Sequence, residues 1–311
     1  AYEIHERLGG SEMCIRDSYI STTYANKMTA GPAPKNGMKA AVVGSGPAGL
    51  TIAVLLARWG YDVTIFDARD KIGGVLRYGI PNYRLPREVL DAEIASMLAL
   101  GIDVHVNVNV GDDVTFDELR QQNDALYIAL GAHTDKKTGI EGEDAEGVIS
   151  AVEMLREIGD DYMPDFRNKD IVVIGGGNVA VDCARTAVRF GSEEVGMYCL
   201  ESRDTMPASK KEIEETLADG ITVNNGWGPK EILKNEDGTV KAVVFKKCLS
   251  VIDPATKRFS PKYDENDTIT VEAQNVIFAI GQTVVWDELL KGSKVQFHHG
   301  NYPVADALTY Q

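Results

Sequence analysis

Two short glycine-rich strings carry the most specific chemistry in this sequence. Gly44-Ser-Gly46-Pro-Ala-Gly49 follows the apolar run Lys39-Ala-Ala-Val-Val43, and Gly175-Gly-Gly177-Asn-Val-Ala180 follows Asp170-Ile-Val-Val-Ile174. In such a string the first glycine permits a tight turn and the second lets the backbone approach a pyrophosphate. The third small residue lets a helix pack closely on the strand. The helix that starts there offers unpaired N–H groups and a positive dipole end to phosphates. An acid follows each string: Asp67, 21 residues after Gly46, and Glu201, 24 residues after Gly177. Both are spaced to accept hydrogen bonds from ribose hydroxyls. One glycine string arises readily in an ordinary turn. Two copies, each with strand, turn, helix, strand and acid in order, do not.

The elements that must position these strings are legible in the periodicity. Leu50 to Trp59 reads as a helix with Leu50, Val54 and Ala57 on one face, ended by Gly60; Asp62 to Phe66 reads as a strand. Glu88 to Leu100 has helical spacing, Ile102 to Val110 is strand-like, and Asp124 to Leu130 is a strand running into Gly131. In the second half, a helix from Val181 to Phe190 and a strand from Val195 to Leu200 repeat the first pattern. A charged helix from Lys210 to Asp219 follows, then strands at Val240–Lys247 and Ile269–Val271 that form an extra sheet. Val276 to Gln282 then returns the chain toward the first domain. The fold class is α/β, with two Rossmann-like domains.

Gly73-Gly-Val-Leu-Arg-Tyr-Gly-Ile-Pro-Asn-Tyr-Arg-Leu-Pro86, together with the second glycine string and Arg203-Asp-Thr-Met-Pro-Ala208, makes the resemblance specific. From about Lys39 to Gln311 the chain resembles the small subunit of glutamate synthase and its relatives. These include the flavin half of dihydropyrimidine dehydrogenase and NAD(P)H:ferredoxin-type oxidoreductases. The resemblance implies FAD at the first site, with contacts at Gly44, Gly46, Pro47, Ala48 and Gly49, then Asp67, Gly74, Val75, Arg84, Val110 and Gly131. The family usually has Glu at the position of Asp67. It implies NAD(P)H at the second site, with Gly175, Gly177, Asn178, Val179 and Ala180 at the phosphates, and Ala279 and Gly281 as further contacts. The nucleotide-binding domain is then inserted into the FAD-binding domain. The expected boundaries are an FAD part over 38–147, a nucleotide domain over 148–282 and a second, incomplete FAD part over 283–311.

NADH is expected over NADPH. An acid at the end of the second strand accepts both ribose hydroxyls and repels a 2′-phosphate, which an arginine would welcome. NADPH-using relatives place two arginines where this chain has Leu200 and Glu201; Arg203 is the nearby residue that could reverse the preference. The resemblance also implies a protein electron acceptor or an iron–sulfur subunit as partner. No side chain need act as nucleophile or general acid, because the cofactor carries the redox chemistry. An NAD(P)H oxidase and a non-catalytic NAD(P)H-sensing module are the alternatives; a sensor has no need of the loop from Gly73 to Pro86.

The rest of the sequence bounds these readings. The chain has 311 residues, enough for two domains, and its 32 Lys and Arg against 47 Asp and Glu give a net charge of −15, which argues against general affinity for nucleic acid. No run approaches the length of a membrane span. The four cysteines, Cys14, Cys183, Cys199 and Cys248, are scattered without metal or disulfide spacing, so a cytoplasmic setting without a metal site is expected. Cys183 and Cys199 read as core residues, as do Trp227 and Trp286. The five histidines lack metal-ligand context, with His298-His299 in a polar loop. Residues 1–37 have no sustained periodicity and are expected to be disordered or non-native; Ser11 to Ser18 resembles translated sequencing-adapter read-through. Relatives carry an upstream cysteine-rich segment and a downstream Gly-Asp strand and helix over the flavin. The chain therefore reads as truncated at both ends, with weakened hold on FAD.

Overall fold

The computed structural model describes residues 31–286, 288–291, 293–298 and 302–306. The expectations for Ser11–Ser18, Cys14, His5 and His299 lie outside them. The chain divides into two compact units, one running to Gly131 and resuming at Val284, the other spanning Ala132–Thr283. Both are α/β and Rossmann-like.

The first unit is built on a parallel sheet of β1 (Lys39–Val43), β2 (Asp62–Phe66), β3 (Asp103–His105) and β4 (Ala125–Ile128), in the order β3-β2-β1-β4. Ala40 to Val43 are all buried, as an unbroken apolar strand covered on both faces must be. Helix α1 (Pro47–Arg58) starts at Gly46 with proline in its first turn and buries Gly49, Leu50, Ala53 and Ala57. Short α2 (Val75–Tyr78) and α3 (Arg87–Leu98) follow, and α4 (Phe116–Gln122) opens on a capping box between Thr115 and Glu118. The strand expected over Ile102–Val110 is only three residues long. Asn107 takes a positive φ of 55° and turns the chain out of the sheet, so Val110 bridges Val114 instead. Leu289 and Leu290 pack with Val43, Val110 and Leu119, so the returning segment completes this core.

The second unit holds a five-stranded parallel sheet, β6 (Val148–Ser150), β13 (Asn275–Phe278), β7 (Ile171–Ile174), β8 (Val195–Cys199) and β9 (Thr222–Asn225), in that spatial order. Helices α5 (Ala151–Gly159), α6 (Asn178–Arg189) and α7 (Lys210–Ala218) accompany it. Every residue of β7 and of β13 is buried. β13 therefore belongs to the middle of this sheet, and the chain leaves the unit only at β14 (Gln282–Thr283), which pairs with β5 (Thr134–Asp135). The extra sheet is larger than its periodicity indicated: β10 (Trp227–Lys234), β11 (Val240–Ile252) and β12 (Phe259–Glu272) run antiparallel. β15 (Phe297–His298) and β16 (Tyr302–Pro303) pair in the first unit, which puts His298 on a short strand.

Candidate dinucleotide sites

In the first unit, β1 delivers the chain into Gly44 with φ +100°; a Cβ there would stand 2.3 Å from the Ala129 carbonyl oxygen. The turn is held by hydrogen bonds from Gly44 N to Phe66 O (2.8 Å) and from Ala129 N to Val43 O (2.7 Å). At Gly49 a Cβ would stand 1.9 Å from Gly44 O, so α1 presses directly onto the turn. Gly46 is the N-cap of α1, with no side-chain cap and no acid in the first turn. By contrast α4, α5 and α7 are capped by Thr115, Ser150 and Ser209. The first intrahelical acceptor is Gly46 O, bonded by Leu50 N. Pro47 has no N–H, so Ala48 and Gly49 present the amides that begin the helix.

Asp67 does more than wait for a ribose. Its Oδ2 accepts hydrogen bonds from the backbone N (2.8 Å) and the hydroxyl of Ser45, and its Oδ1 accepts from Arg69 N (2.9 Å). A carboxylate offers about four acceptor directions, so acceptor capacity remains on Oδ1 while Oδ2 holds the loop. Ser45 is fully buried, and its hydroxyl and carbonyl both accept from Gly73 N, at 3.1 and 3.2 Å. The chain of bonds from Asp67 through Ser45 to Gly73 ties the distal loop to the glycine turn. Ser45 was not singled out in the sequence, where it occupies an unconstrained position of the motif; its burial is what identifies it.

Gly74, with φ +52°, lies so close that its Cβ would meet Gly46 Cα at 2.5 Å. The loop after β2 is thus laid across the phosphate turn and onto Gly46. In the second unit the loop after β8 also bonds its turn, Ala208 N donating to Gly176 O (3.0 Å), but leaves Gly177 open. Val75 begins α2 and is exposed, while the Arg84 guanidinium lies 5.9 Å from the Tyr83 ring centroid. The Val110 side chain is in the core, which leaves its backbone for any ligand contact. Gly131, φ +71°, ends the segment after β4.

The second unit repeats the device. Gly175 has φ +146°, and its Cβ would stand 2.4 Å from Ala279 O, as Gly44 faces Ala129 O. Gly177 caps α6 with neither side-chain cap nor acid in the first turn, and a Cβ on it would meet nothing within 4 Å. Asn178, Val179 and Ala180 supply the opening amides. Asn178 Oδ1 also accepts from Ser209 N (3.0 Å), which fixes the loop to the start of α7. Ala180 is fully buried.

Glu201 stands over this turn: a Cβ on Gly176 would lie 2.9 Å from its Oε2. Its carbonyl accepts from Asn225 Nδ2 (3.1 Å) and Gly226 N (3.2 Å), so its backbone is fixed while the carboxylate faces the loop. Arg203 opens a short 3-10 turn, Arg203–Thr205, and is exposed. Gly281, φ +111°, packs beside the Lys136 side chain, and its carbonyl accepts from Lys136 N (3.1 Å).

The remaining candidates are structural. Cys183, Cys199 and Cys248 are free and buried. Burial pushes the Cys183 thiol up, and burial with the Glu201 carboxylate pushes Cys199 up to about 11. Trp227 packs on the extra-sheet core with Lys247 Nζ 4.4 Å from its ring centroid, and Trp286 meets Phe297 edge-on. No cluster of metal-ligating side chains occurs among the described residues, and no helix among them is long and apolar enough to cross a membrane.

Comparison with known proteins agrees with this geometry. The sequence pattern of the family described as "Pyridine nucleotide-disulphide oxidoreductase" matches residues 38–310. The chain is 43% identical over 210 residues to the NADP(+)-dependent formate dehydrogenase subunit beta of Moorella thermoacetica, covering 67% of this chain and 30% of that protein. It is 37% identical over 258 residues to the NADPH-Fe(3+) oxidoreductase subunit beta of Geobacter sulfurreducens, covering 81% and 38%. It is 32% identical over 284 residues to the glutamate synthase [NADPH] small chain of Escherichia coli, covering 88% and 60%. The chain thus spans less than two thirds of the length of these relatives. Among solved structures, FprA from Mycobacterium tuberculosis matches in fold with a TM-score of 0.70 at 20% identity, over 81% of this chain and 72% of that one. Thioredoxin reductase from T. acidophilum matches with a TM-score of 0.61 at 19% identity, over 87% and 85%.

Proposed function

The chain belongs to the pyridine nucleotide-disulphide oxidoreductase family, and we propose that it is an FAD-dependent oxidoreductase of the glutamate synthase small-subunit type. In this reading it oxidises NAD(P)H and passes electrons to an iron–sulfur or other partner-protein acceptor. Bound FAD supplies the hydride-accepting chemistry. The chain's own part is to hold two dinucleotides by backbone amides, through Gly44–Gly49 with Asp67 in the first unit and Gly175–Ala180 with Glu201 in the second.

The carrying observation is the doubled turn, in which a glycine Cβ is excluded by a carbonyl at Ala129 and again at Ala279. The Gly73–Gly74 loop, bonded to Ser45, is packed on Gly46, where the second unit leaves Gly177 open, and this supports assignment of the first unit to FAD over a pure nucleotide sensor. Val75, Arg84, Val110 and Gly131 complete the FAD assignment by resemblance; Arg203, Ala279 and Gly281 complete the other. The nucleotide domain is read as an insertion in the FAD domain, and the free, buried thiols suit a reducing cytoplasm.

NADH is the proposed donor, although several relatives are named for NADP(+) or NADPH. The support is the Glu201 carboxylate over Gly176, where it can accept from both ribose hydroxyls and would repel a 2′-phosphate. Steady-state turnover with ferricyanide as acceptor should give NADH the higher kcat/KM. Glu201→Ala should narrow the gap by about tenfold, roughly 1.4 kcal/mol, while Arg203→Ala leaves it unchanged. A preference for NADPH that collapses in Arg203→Ala and is untouched in Glu201→Ala would reverse the assignment.

A further inference from the structure

The extra sheet of the second unit carries a projecting arm that the nucleotide sites do not use. β10 last pairs with β11 at Trp227 and Lys247, and the final bond on that side runs from Cys248 N to Gly226 O (2.8 Å). Beyond it β11 and β12 continue alone as a two-stranded ribbon through Ser250↔Lys262 and Ile252↔Phe259. No residue from Leu249 to Lys262 is buried. The turn is well specified: Asp253 Oδ1 accepts from Ala255 N and Thr256 N, each at 2.9 Å.

The ribbon's composition is opposite to that of its chain. Leu249 and Phe259 are 66% and 65% exposed, and Ile252, directly paired with Phe259, is 47% exposed. Residues 249–262 carry three cations, Lys257, Arg258 and Lys262, and one acid, Asp253, in a chain of 47 acids and 32 bases. Lys246, nearer the sheet, is paired with Glu265, whereas those three cations make no ion pair among the described residues. Exposed apolar side chains ringed by unpaired cations mark a docking surface for something acidic with an apolar centre.

We infer that the ribbon 249–262 docks on the acidic surface of a second copy of this chain, each copy lending its arm to the other. Charge complementarity supports this occupant, since outside the ribbon the chain is strongly acidic. Reciprocal exchange uses the same two patches on both copies and closes as a two-fold dimer. A lipid surface fits less well: beyond Trp227 the ribbon has unpaired backbone along both edges, which a hydrocarbon phase penalises and a hydrated protein interface does not. Pro261 and the flanking charges blunt the outer edge against strand addition, so contact is made by the side-chain faces.

Sedimentation velocity of the full chain tests this independently of its redox activity. At ionic strength of about 0.15 M a dimer is expected at micromolar concentration, weakening at about 1 M as the charges are screened. Lys257→Glu with Arg258→Glu and Lys262→Glu, or Ile252→Ser with Phe259→Ser, should raise the dimer Kd by at least about tenfold. Thermal melts taken below the parent's dimer Kd, where parent and variants are all monomers, should match the parent because these side chains are exposed. A monomer at every concentration, or a dimer indifferent to both variants, overturns the inference. So does a monomer that co-sediments with phosphatidylserine vesicles and releases them in the charge-reversed variant, which would assign the ribbon to a membrane.

Discussion

One added methyl group separates two kinds of glycine in these loops. At Gly49 the new carbon would stand 1.9 Å from the Gly44 carbonyl oxygen, so α1 must move before alanine fits. Gly49→Ala should cost about 1–3 kcal/mol of stability, as overpacking does, and lower FAD retention with it, read by urea denaturation and flavin absorbance. At Gly177 the same methyl meets nothing within 4 Å and φ is −94°, so the fold should tolerate it. Gly177→Ala should leave the melting temperature unchanged and raise the KM for the nicotinamide nucleotide about tenfold, because the approach of a pyrophosphate is what the missing Cβ permits. A KM that stays put would remove Gly177 from the site. The cysteines give a third residue-level expectation. With the Cys199 thiol pushed up to about 11 and Cys183 fully buried, neither should be alkylated by iodoacetamide in the folded protein near neutral pH. Peptide mapping before and after denaturation would tell.

Helices α6 and α7 are joined by an ion cluster whose contribution depends on pH. Arg185, 11% exposed at its side chain, bonds Asp219 (2.8 Å) and Glu215, and Arg189 also reaches Asp219 (2.9 Å). Burial works against the Asp219 charge, yet the two guanidiniums outweigh it and hold its carboxyl below the ordinary range. A depressed folded pKa stabilises the fold above the unfolded value, about 3.9, and that stabilisation is lost as pH falls through the folded value. Asp219→Ala should therefore cost about 2 kcal/mol near pH 7, where it removes the carboxylate that Arg185 and Arg189 share while Glu215 stays on Arg185, and progressively less below about pH 4. Urea denaturation at both pH values checks this; an equal cost at both would refute the electrostatic origin. At this scale the sequence was an uneven guide. The strands and helices around both glycine strings were legible because apolar runs and breakers there agree. β10 was not, because Gly228 and Pro229 interrupt it at a bulge. The strand after Ile102 was overread because Val104, Val106, Val108 and Val110 alternate through a turn made by the positive φ of Asn107. Ser45 escaped notice because only burial distinguishes it from an ordinary loop serine.

At the scale of the molecule, one chain contains the same turn built twice, and in each copy a later loop bonds the turn, Gly73 N to Ser45 O in the first and Ala208 N to Gly176 O in the second. They differ at the second glycine, where Gly74 packs on Gly46 but nothing stands within 4 Å of a Cβ on Gly177, and that asymmetry is the physical basis for giving the two units different dinucleotides. Asp67 spends acceptor positions on Ser45 and Arg69, whereas the Glu201 carboxylate faces its turn from a backbone held by Asn225 and Gly226. The most direct test is anaerobic addition of NADH to the full chain reconstituted with FAD, followed through the flavin's visible absorbance. The expected result is bleaching with one NADH per flavin, made slower in Gly177→Ala at limiting nucleotide. Absorbance unchanged by saturating NADH and by saturating NADPH, with FAD demonstrably bound, would contradict the assignment of this chain as a nicotinamide-dependent flavoprotein.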